Sequence, residues 1–187
     1  LQALLNQCCD QIKQQDTFIV VLHNIKQASW SCDLFASLSH HEQKVTASFP
    51  AVRRDFYQKQ RFIRRYFLAA FLGCDISAVQ YGVEHNRPFV INDHSVCFSV
   101  SHAVDSFSMI ITQGALCGID MEHMRNVHYK KGITQRFFCP REQHMLKECD
   151  YSDEAFFKIW TRKEALIKML GKTMYRYASQ YDTYDGD

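Results

Sequence analysis

The segment from residue 51 to residue 72 constrains the fold most, because it is long, has helical periodicity and is followed by a glycine. Its apolar residues recur at helical spacing and predict one face that packs on a core: Phe56, Ile63, Phe67, Ala70 and Phe71. Gly73 is expected to end this helix. The other side is basic, with Arg53, Arg54, Lys59, Arg61, Arg64 and Arg65 opposed only by Asp55.

The rest of the chain mixes strand and helix patterns. Apolar and β-branched runs predict strands over residues 17–23, 80–83, 96–100, 107–112 and 115–121. A turn at Gln113-Gly114 is expected to join the last two strands as a hairpin. Helices are predicted over residues 1–14, after a capping box formed by Ser39 and Glu42, and over residues 130–138, 141–149 and 153–170. This alternation indicates an α+β fold.

Length and composition exclude several classes of protein. A chain of 187 residues can form one compact unit or two small lobes, and its net charge of +2 implies no particular partner. Apolar runs such as residues 18–22 are far too short to cross a bilayer, and no secretory signal is recognisable. The eight cysteines include no Cys-x-x-Cys pair, so reduced thiols in a cytoplasmic protein are expected. Because the chain starts at Leu1 rather than Met, we expect a piece of a longer protein.

Two short acidic patterns indicate a metal site. Asp120 and Glu122 lie two apart on a predicted strand and therefore share a face. Glu164 and Lys168 lie four apart on a predicted helix and share a face as well. Three converging carboxylates repel one another unless a hard cation lies between them, and Mg²⁺ accepts such ligands together with phosphate oxygens. Lys168, one turn from Glu164, is placed to contact the same phosphate.

Six motifs, taken in order, resemble a known family. They are RFIR (61–64), NRPF (86–89), FSVSH (98–102), GIDME (118–122), RFFCPRE (136–142) and WTRKEALIK (160–168). Over residues 50–172 the chain resembles the 4′-phosphopantetheinyl transferases of the surfactin-synthetase-activating type. GIDME alone would be weak, because Gly-Ile-Asp occurs by chance on many strands.

The resemblance implies a fold of two similar α/β lobes related by a pseudo-twofold axis, with antiparallel sheets packed by helices. The active-site cleft would lie between the lobes and hold coenzyme A. Residues 1–104 would form the lobe on the 3′-phosphate side, and residues 105–187 would form the lobe with the metal ligands and the Glu/Lys helix. Members of the family usually continue past this helix with further strands, so the second lobe is expected to be truncated at its C-terminus.

The resemblance also implies roles for single residues. Asp120, Glu122 and Glu164 would hold Mg²⁺, Glu164 would accept the serine proton, and Lys168 would contact the pyrophosphate. The nucleotide end of coenzyme A would be bound by Ser101, His102, Arg53, Arg54, Arg61 and Arg87, the last of which replaces the family's lysine.

The implied reaction is that of a holo-[acyl-carrier-protein] synthase. The enzyme would transfer the phosphopantetheine arm of coenzyme A to a serine of an apo acyl or peptidyl carrier protein, releasing 3′,5′-ADP. We expect a monomer that binds neither nucleic acid nor membrane. Residues 125–138, with Arg125, Lys130, Lys131, Arg136, Val127 and Tyr129, are expected to meet the carrier protein.

Two alternatives remain open at the level of sequence. The acidic cluster would also suit another Mg²⁺-dependent phosphoryl or nucleotidyl transferase that acts on a small molecule. The basic helix would suit a non-enzymatic nucleic-acid-binding domain, which requires basic residues spread over a continuous face.

Overall fold

The computed structural model describes residue 12, residues 15–29 and residues 33–184. The predicted helix at residues 1–14 therefore lies outside the described residues, apart from Ile12. The strands are β1 (Thr17–Leu22), β2 (Tyr81–Glu84), β3 (Arg87–Val90), β4 (Val96–Ala103) and β5 (Ser106–Gln113). The helices are α1 (His40–Ala47), α2 (Ala51–Leu72), α3 (Lys130–Phe137), α4 (Pro140–Glu148), α5 (Asp153–Leu170) and α6 (Met174–Tyr177).

The five strands form one antiparallel sheet in the order β1-β5-β4-β3-β2. Helix α2 covers one face of this sheet, because Ile63 and Phe67 pack in the same buried cluster as Phe98 of β4 and Met109 of β5. The predicted bounds of α2 are confirmed, and Gly73 ends it in the left-handed conformation at φ 67°. The α+β class predicted from the sequence is thus confirmed.

A buried polar network joins α1 to α2 and β2. The predicted capping box is present, with Ser39 and Glu42 bonded reciprocally at the start of α1. Glu42 also pairs with Arg65, whose Nε lies 2.9 Å from Oε2, and accepts a hydrogen bond from the Tyr81 hydroxyl. Burial alone would raise the pKa of Glu42, but the bonds from Tyr81 and Ser39 and the charge of Arg65 together hold it below its ordinary value.

Helices α3, α4 and α5 enclose a second apolar cluster built on Phe138, Leu146, Phe156, Phe157 and Ile159. Beside it lies an ion pair with almost no exposed surface, between Lys163 of α5 and Glu142 of α4, at 2.6 Å. Lys163 also donates to the carbonyls of Ala178 and Tyr181, and Glu142 accepts from the backbone and hydroxyl of Thr183. The segment after α5 is thereby held against the three helices.

One strand prediction is wrong. Residues 115–121 form no sheet ladder, so the hairpin predicted at Gln113-Gly114 does not exist. The reason is that β5 is flanked by β1 on one edge and β4 on the other, which leaves no edge for a following strand. The hairpin partner of β5 is β4, through the turn at Val104 and Asp105. Strand β3, at the NRPF motif, was not predicted as a strand.

The remaining predicted elements are found within one or two residues of their expected ends, except that β4 extends three residues further, to Ala103. The boundary between the two lobes was predicted between residues 104 and 105, which is inside the β4–β5 hairpin. A boundary that keeps the whole sheet in one lobe would follow Gln113. The two-lobe symmetry stays a prediction.

Five cysteines fall in the described ranges, and all are free thiols: Cys74, Cys97, Cys117, Cys139 and Cys149. Of the helices described here, none is both long and apolar enough to cross a bilayer.

Candidate active site

The C-terminal end of β4 opens into a cleft of about 410 Å³. Successive side chains of a strand point to opposite faces, so Ser101 and His102 serve different sides of the sheet. His102 lies toward α2, where its ring meets Phe56 edge-on at 6.2 Å. Ser101 is buried on the opposite face, toward α5. The cleft thus reaches from α2 to α5 across the end of this strand.

The GIDME segment crosses the face of the sheet that carries Ser99 and Ser101. The Ile119 backbone N–H donates to the Ser99 hydroxyl at 3.2 Å, a contact that takes the place of a sheet ladder. Gly118 lies so close to α5 that a Cβ there would stand 2.0 Å from the carbonyl oxygen of Ala165. Only glycine permits this approach, which fixes the acidic residues that follow against the site-bearing helix.

Asp120, Lys168 and Ser101 form a polar cluster. Lys168 Nζ lies 2.6 Å from Asp120 Oδ1 and 3.2 Å from the Ser101 hydroxyl, which itself donates to Oδ1 at 2.8 Å. Lys168 forms no ion pair with Glu164 among the described contacts, because its ammonium pairs across the cleft with Asp120. Asp120 Oδ2 is buried and has no hydrogen-bond partner, which leaves one acceptor of this carboxylate unsatisfied.

Glu122 and Glu164 line the same cleft but have different surroundings. Glu122 accepts from the Trp160 indole at 3.3 Å and pairs with Arg125 at 3.2 Å. Burial raises the pKa of Glu164, the charges of Asp120 and Glu122 raise it further, and Lys168 partly offsets them. A carboxyl whose ionised form is disfavoured by neighbouring carboxylates gains from any cation that enters between them.

The carboxylate oxygens of the three acidic side chains are not all close enough to one another to hold one metal ion in this structure. In the described part of the chain, the group of three or more candidate ligand atoms within 4.8 Å of one another is Cys139, Glu142 and Asp182, not the cleft carboxylates. Glu142 in that group is already satisfied by Lys163, Cys139 and Thr183. The cleft carboxylates therefore share a cavity without converging on a single point.

The α2 side of the cleft is cationic. Arg61 and Arg64 line it together with Tyr57 and Gln60. Burial lowers the pKa of His102, and the charges of Lys168, Arg64 and Arg61 lower it further. The cleft therefore has an acidic end at Asp120, Glu122 and Glu164 and a cationic end at α2.

Three arginines predicted from the sequence do not line this cleft. Arg53 stacks on Phe49, with its guanidinium carbon 4.3 Å from the ring centroid. Arg54 donates to the carbonyls of Ala47 and Phe49 at 3.3 and 3.0 Å. The stem of Arg87 packs near Gly171 at the end of α5. The other predicted site residues, namely Arg61, Ser101, His102, Asp120, Glu122, Glu164 and Lys168, all line it.

Sequence reasoning missed Arg64, Gln60, Tyr57 and Met121 as lining residues. A signal for Arg64 existed, since it follows Arg61 by three residues and therefore lies on the same side of the helix. Arg64 was not singled out because the whole side of the helix was interpreted as a basic surface. Arg65, by contrast, is buried against Glu42, so α2 presents no continuous basic face of the kind that a nucleic-acid-binding domain needs.

Substitution of Gly118 by alanine is expected to destabilise the fold by about 1–3 kcal/mol, because the methyl group would overlap backbone that cannot move aside. Chemical denaturation measures this loss. Gly132→Ala in α3 is the matched control, because a Cβ there meets open space and alanine favours a helix. Equal stability of the two variants would show that the contact between Gly118 and α5 is looser than described.

The part of the chain that carries the acidic residues of the cleft is similar to one known superfamily. Residues 116–184 match the family model ACPS, described as the 4′-phosphopantetheinyl transferase superfamily. The match covers GIDME, α3, α4, α5 and the segment that follows them. It therefore includes the three acidic residues of the cleft and Lys168.

Several curated proteins are similar over a longer stretch. The 4′-phosphopantetheinyl transferase HetI of Nostoc sp. is 30% identical over 147 residues, which cover 74% of this chain and 62% of that protein. A putative 4′-phosphopantetheinyl transferase of Synechocystis sp. is 31% identical over 160 residues, covering 76% and 64%. A 4′-phosphopantetheinyl transferase of Bacillus subtilis is 28% identical over 146 residues, covering 70% and 64%. The chain thus spans just over three fifths of the length of these relatives.

Proposed function

We propose that this protein transfers the 4′-phosphopantetheine arm of coenzyme A to a serine of an apo carrier protein. The observation that carries the proposal is the single cleft that contains Ser101, His102, Asp120, Glu122, Glu164 and Lys168, which come from three of the motifs named above. The similarity to named 4′-phosphopantetheinyl transferases supports the reaction class. The surfactin-synthetase-activating subtype and the identity of the carrier are parts of the proposal.

The acidic end supplies the donor groups that a magnesium ion takes, although its three carboxylates do not converge on one point in this structure. Asp120 offers a buried oxygen without a partner, and Glu164 ionises reluctantly beside two other carboxylates. Carboxylate oxygens are the ligands that Mg²⁺ prefers, usually one or two together with phosphate oxygens and water. Asp120, Glu122 and Glu164 would hold the ion, which when bound would neutralise charge on the pyrophosphate.

The protein's own side chains supply positioning and proton transfer. The serine oxygen of the carrier forms a bond to the β-phosphorus of coenzyme A, and the bond from that phosphorus to the bridging oxygen breaks, which releases 3′,5′-ADP. Glu164 is proposed to accept the serine proton, because its carboxylate lines the cleft beside Asp120 and Lys168. Lys168 would turn from Asp120 to the developing charge on the leaving group.

The direct test combines the protein, coenzyme A, Mg²⁺ and a panel of apo carrier proteins from fatty-acid, polyketide and nonribosomal-peptide pathways. Intact-mass analysis should show one phosphopantetheine group added to at least one carrier, and none in EDTA. If no carrier gains mass while coenzyme A is consumed, the activity is that of a different transferase. If neither changes, the proposal is wrong.

Residues 125–138, which follow GIDME and include α3, are proposed as the surface that meets the carrier. Tyr129 in this segment and Met124 just before it are largely exposed, at 81% and 60%, as docking residues must be. Two expectations about this segment change with the structure. Lys130 is not free, because it pairs with Asp153 at 2.7 Å and donates to the Tyr151 carbonyl, and Val127 packs on the second apolar cluster.

Charge reversal at Lys131 is therefore the sharper test of docking. Lys131→Glu is expected to raise the apparent KM for the carrier several-fold and to weaken its salt dependence, because complementary charge mainly speeds association. The affinity for coenzyme A should stay unchanged. Lys147→Glu on α4 makes the same charge change at another exposed site and should leave both values as they are. Equal carrier kinetics in the two variants would place docking on a different face.

A further inference from the structure

Two cysteines lie where the GIDME segment crosses the sheet. Cys97 is the second residue of β4 and points to the same face as Ser99, because side chains two apart on a strand share a face. The chain that leads into GIDME covers this face, where the Ile119 N–H donates to the Ser99 hydroxyl at 3.2 Å. Cys117 lies two residues before Ile119 in that covering chain. One cysteine therefore belongs to the strand and the other to the segment packed on it.

The side chain of Thr112 adjoins both cysteines. Thr112 stands directly opposite Cys97 in the β4–β5 ladder, and the Cβ atoms of such a pair lie about 4.5–5.5 Å apart on one face. The Thr112 hydroxyl donates to the carbonyl of Ala115 at 2.7 Å, which holds the start of the covering segment. The Cys117 sulfur lies 4.0 Å from the carbonyl oxygen of Ile110, two residues from Thr112 on β5. Both thiols thus border the same threonine.

The ionisation of Cys117 also responds to Cys97. Burial raises the pKa of the Cys117 thiol, a hydrogen bond with Thr112 lowers it, and the charge of Cys97 raises it again. This influence agrees with the contacts through Thr112. Both side chains are half-buried, whereas Cys139 is buried. A half-buried thiol remains within reach of a small oxidant.

We propose that Cys97 and Cys117 are a redox-sensitive pair that forms a reversible disulfide between β4 and the segment leading to Asp120. With glutathione disulfide as the oxidant, one protein thiolate attacks a glutathione sulfur and displaces the first glutathione thiolate. The second protein thiolate then attacks the protein sulfur of this mixed disulfide and displaces the other glutathione. Two protein thiols are oxidised to one disulfide, and the oxidant is reduced to two glutathione molecules, which carry the two protons.

The disulfide acts on the acidic end of the cleft without using any residue of the cleft. Cys117 precedes Asp120 by three residues, and Gly118 between them packs directly against α5. In the reduced protein this segment is held to the sheet by single hydrogen bonds, such as that between Ile119 and Ser99. A covalent link at Cys117 fixes the same backbone to β4 and restricts its opening.

Oxidation of the folded protein with glutathione disulfide, followed by alkylation of the remaining thiols and chymotryptic peptide mapping, tests the pair. Chymotrypsin cleaves after Phe98 and Phe107 and so places the two cysteines in different peptides. The map should contain one peptide pair joined through Cys97 and Cys117, which dithiothreitol separates. Amide hydrogen exchange over residues 115–121 should slow by at least about 10-fold on oxidation, because the link restricts local opening.

Cys97→Ser and Cys149→Ser are matched variants, since each removes one thiol. Oxidised Cys149→Ser should form the joined pair and show the slower exchange, whereas oxidised Cys97→Ser should show neither. In concentrated urea, oxidation should distribute over the eight cysteines, because the folded geometry no longer selects one pair.

Several results would overturn the pair. In the folded parent these are separate glutathione groups on Cys97 and Cys117, a link from either residue to another cysteine, or free thiols at both after Cys74 and Cys149 have reacted. A joined pair that is equally abundant in urea would show that the fold does not select it. A joined pair with unchanged hydrogen exchange would show that the bond does not fix the segment.

Discussion

Lys163→Met is expected to lower the free energy of unfolding by about 3–5 kcal/mol, the range for removing one partner of a buried ion pair. The substitution leaves Glu142 charged and fully buried, and it deprives the carbonyls of Ala178 and Tyr181 of their donor. Urea denaturation followed by far-UV circular dichroism measures the loss. This is the largest stability effect expected from any single substitution considered above.

Two controls separate the ion pair from general effects of the substitution. Lys147→Met removes an exposed lysine from the same helix as Glu142 and should change stability by less than about 0.5 kcal/mol. The double variant with Lys163→Met and Glu142→Gln should be less destabilised than the sum of its single variants, because it leaves no unpaired charge. A Lys163→Met protein that unfolds at the same urea concentration as the parent would contradict the buried pair.

Asp120→Asn is expected to reduce phosphopantetheine transfer by at least about 10²–10³-fold, a typical cost for one lost electrostatic contact to the transition state. Asparagine keeps the shape of aspartate but replaces one acceptor oxygen with a donor and removes the charge opposite Lys168. The fold should persist, because Gly118 and Ser99 hold the backbone of this segment independently.

The control for Asp120→Asn is Glu154→Gln, which removes an exposed carboxylate from the first turn of α5. Mn²⁺ binding, followed by electron paramagnetic resonance, should weaken in Asp120→Asn and stay unchanged in Glu154→Gln. Full transfer activity of the Asp120→Asn protein, or of the parent in EDTA, would reject a divalent cation at this site.

Elements with local signals were predictable from the sequence. The ends of α2 and α5 coincide with glycines that adopt φ 67° and 64°, and the start of α1 coincides with the capping box at Ser39. In each case the decisive interaction lies within a few residues along the chain, so the pattern alone suffices.

Features that depend on distant parts of the chain were not predictable in this way. The run at 115–121 has strand composition, but whether it pairs depends on β1, which occupies the free edge of β5 from the other end of the chain. Lys163 lies in the helix predicted over residues 153–170, but its charge is satisfied by Glu142 on another helix and by carbonyls beyond α5, which no local pattern indicates.

Only part of the cleft could be predicted, because its residues come from distant parts of the chain. The acidic residues and Lys168 could be grouped from two motifs, although the strand argument used for Asp120 and Glu122 does not apply. The spacing of three residues groups Arg64 with Arg61, but the contacts of Arg64 with Tyr81 and with the cleft exist only in the folded chain.

The order of strands in the sheet also affects how the chain folds as it is made. Of the five described strands β1 is synthesised first, yet its neighbour in the sheet is β5, where Val20 faces Met109. Until residues 106–113 leave the ribosome, β1 has no partner, and its apolar side chains Phe18, Val20 and Leu22 lack the core they finally join. Such non-local pairing is slow and exposes an unpaired strand to wrong associations. The sheet that supports the cleft is therefore completed only after β5 has been synthesised, and a nascent chain arrested before β5 is expected to depend on chaperones.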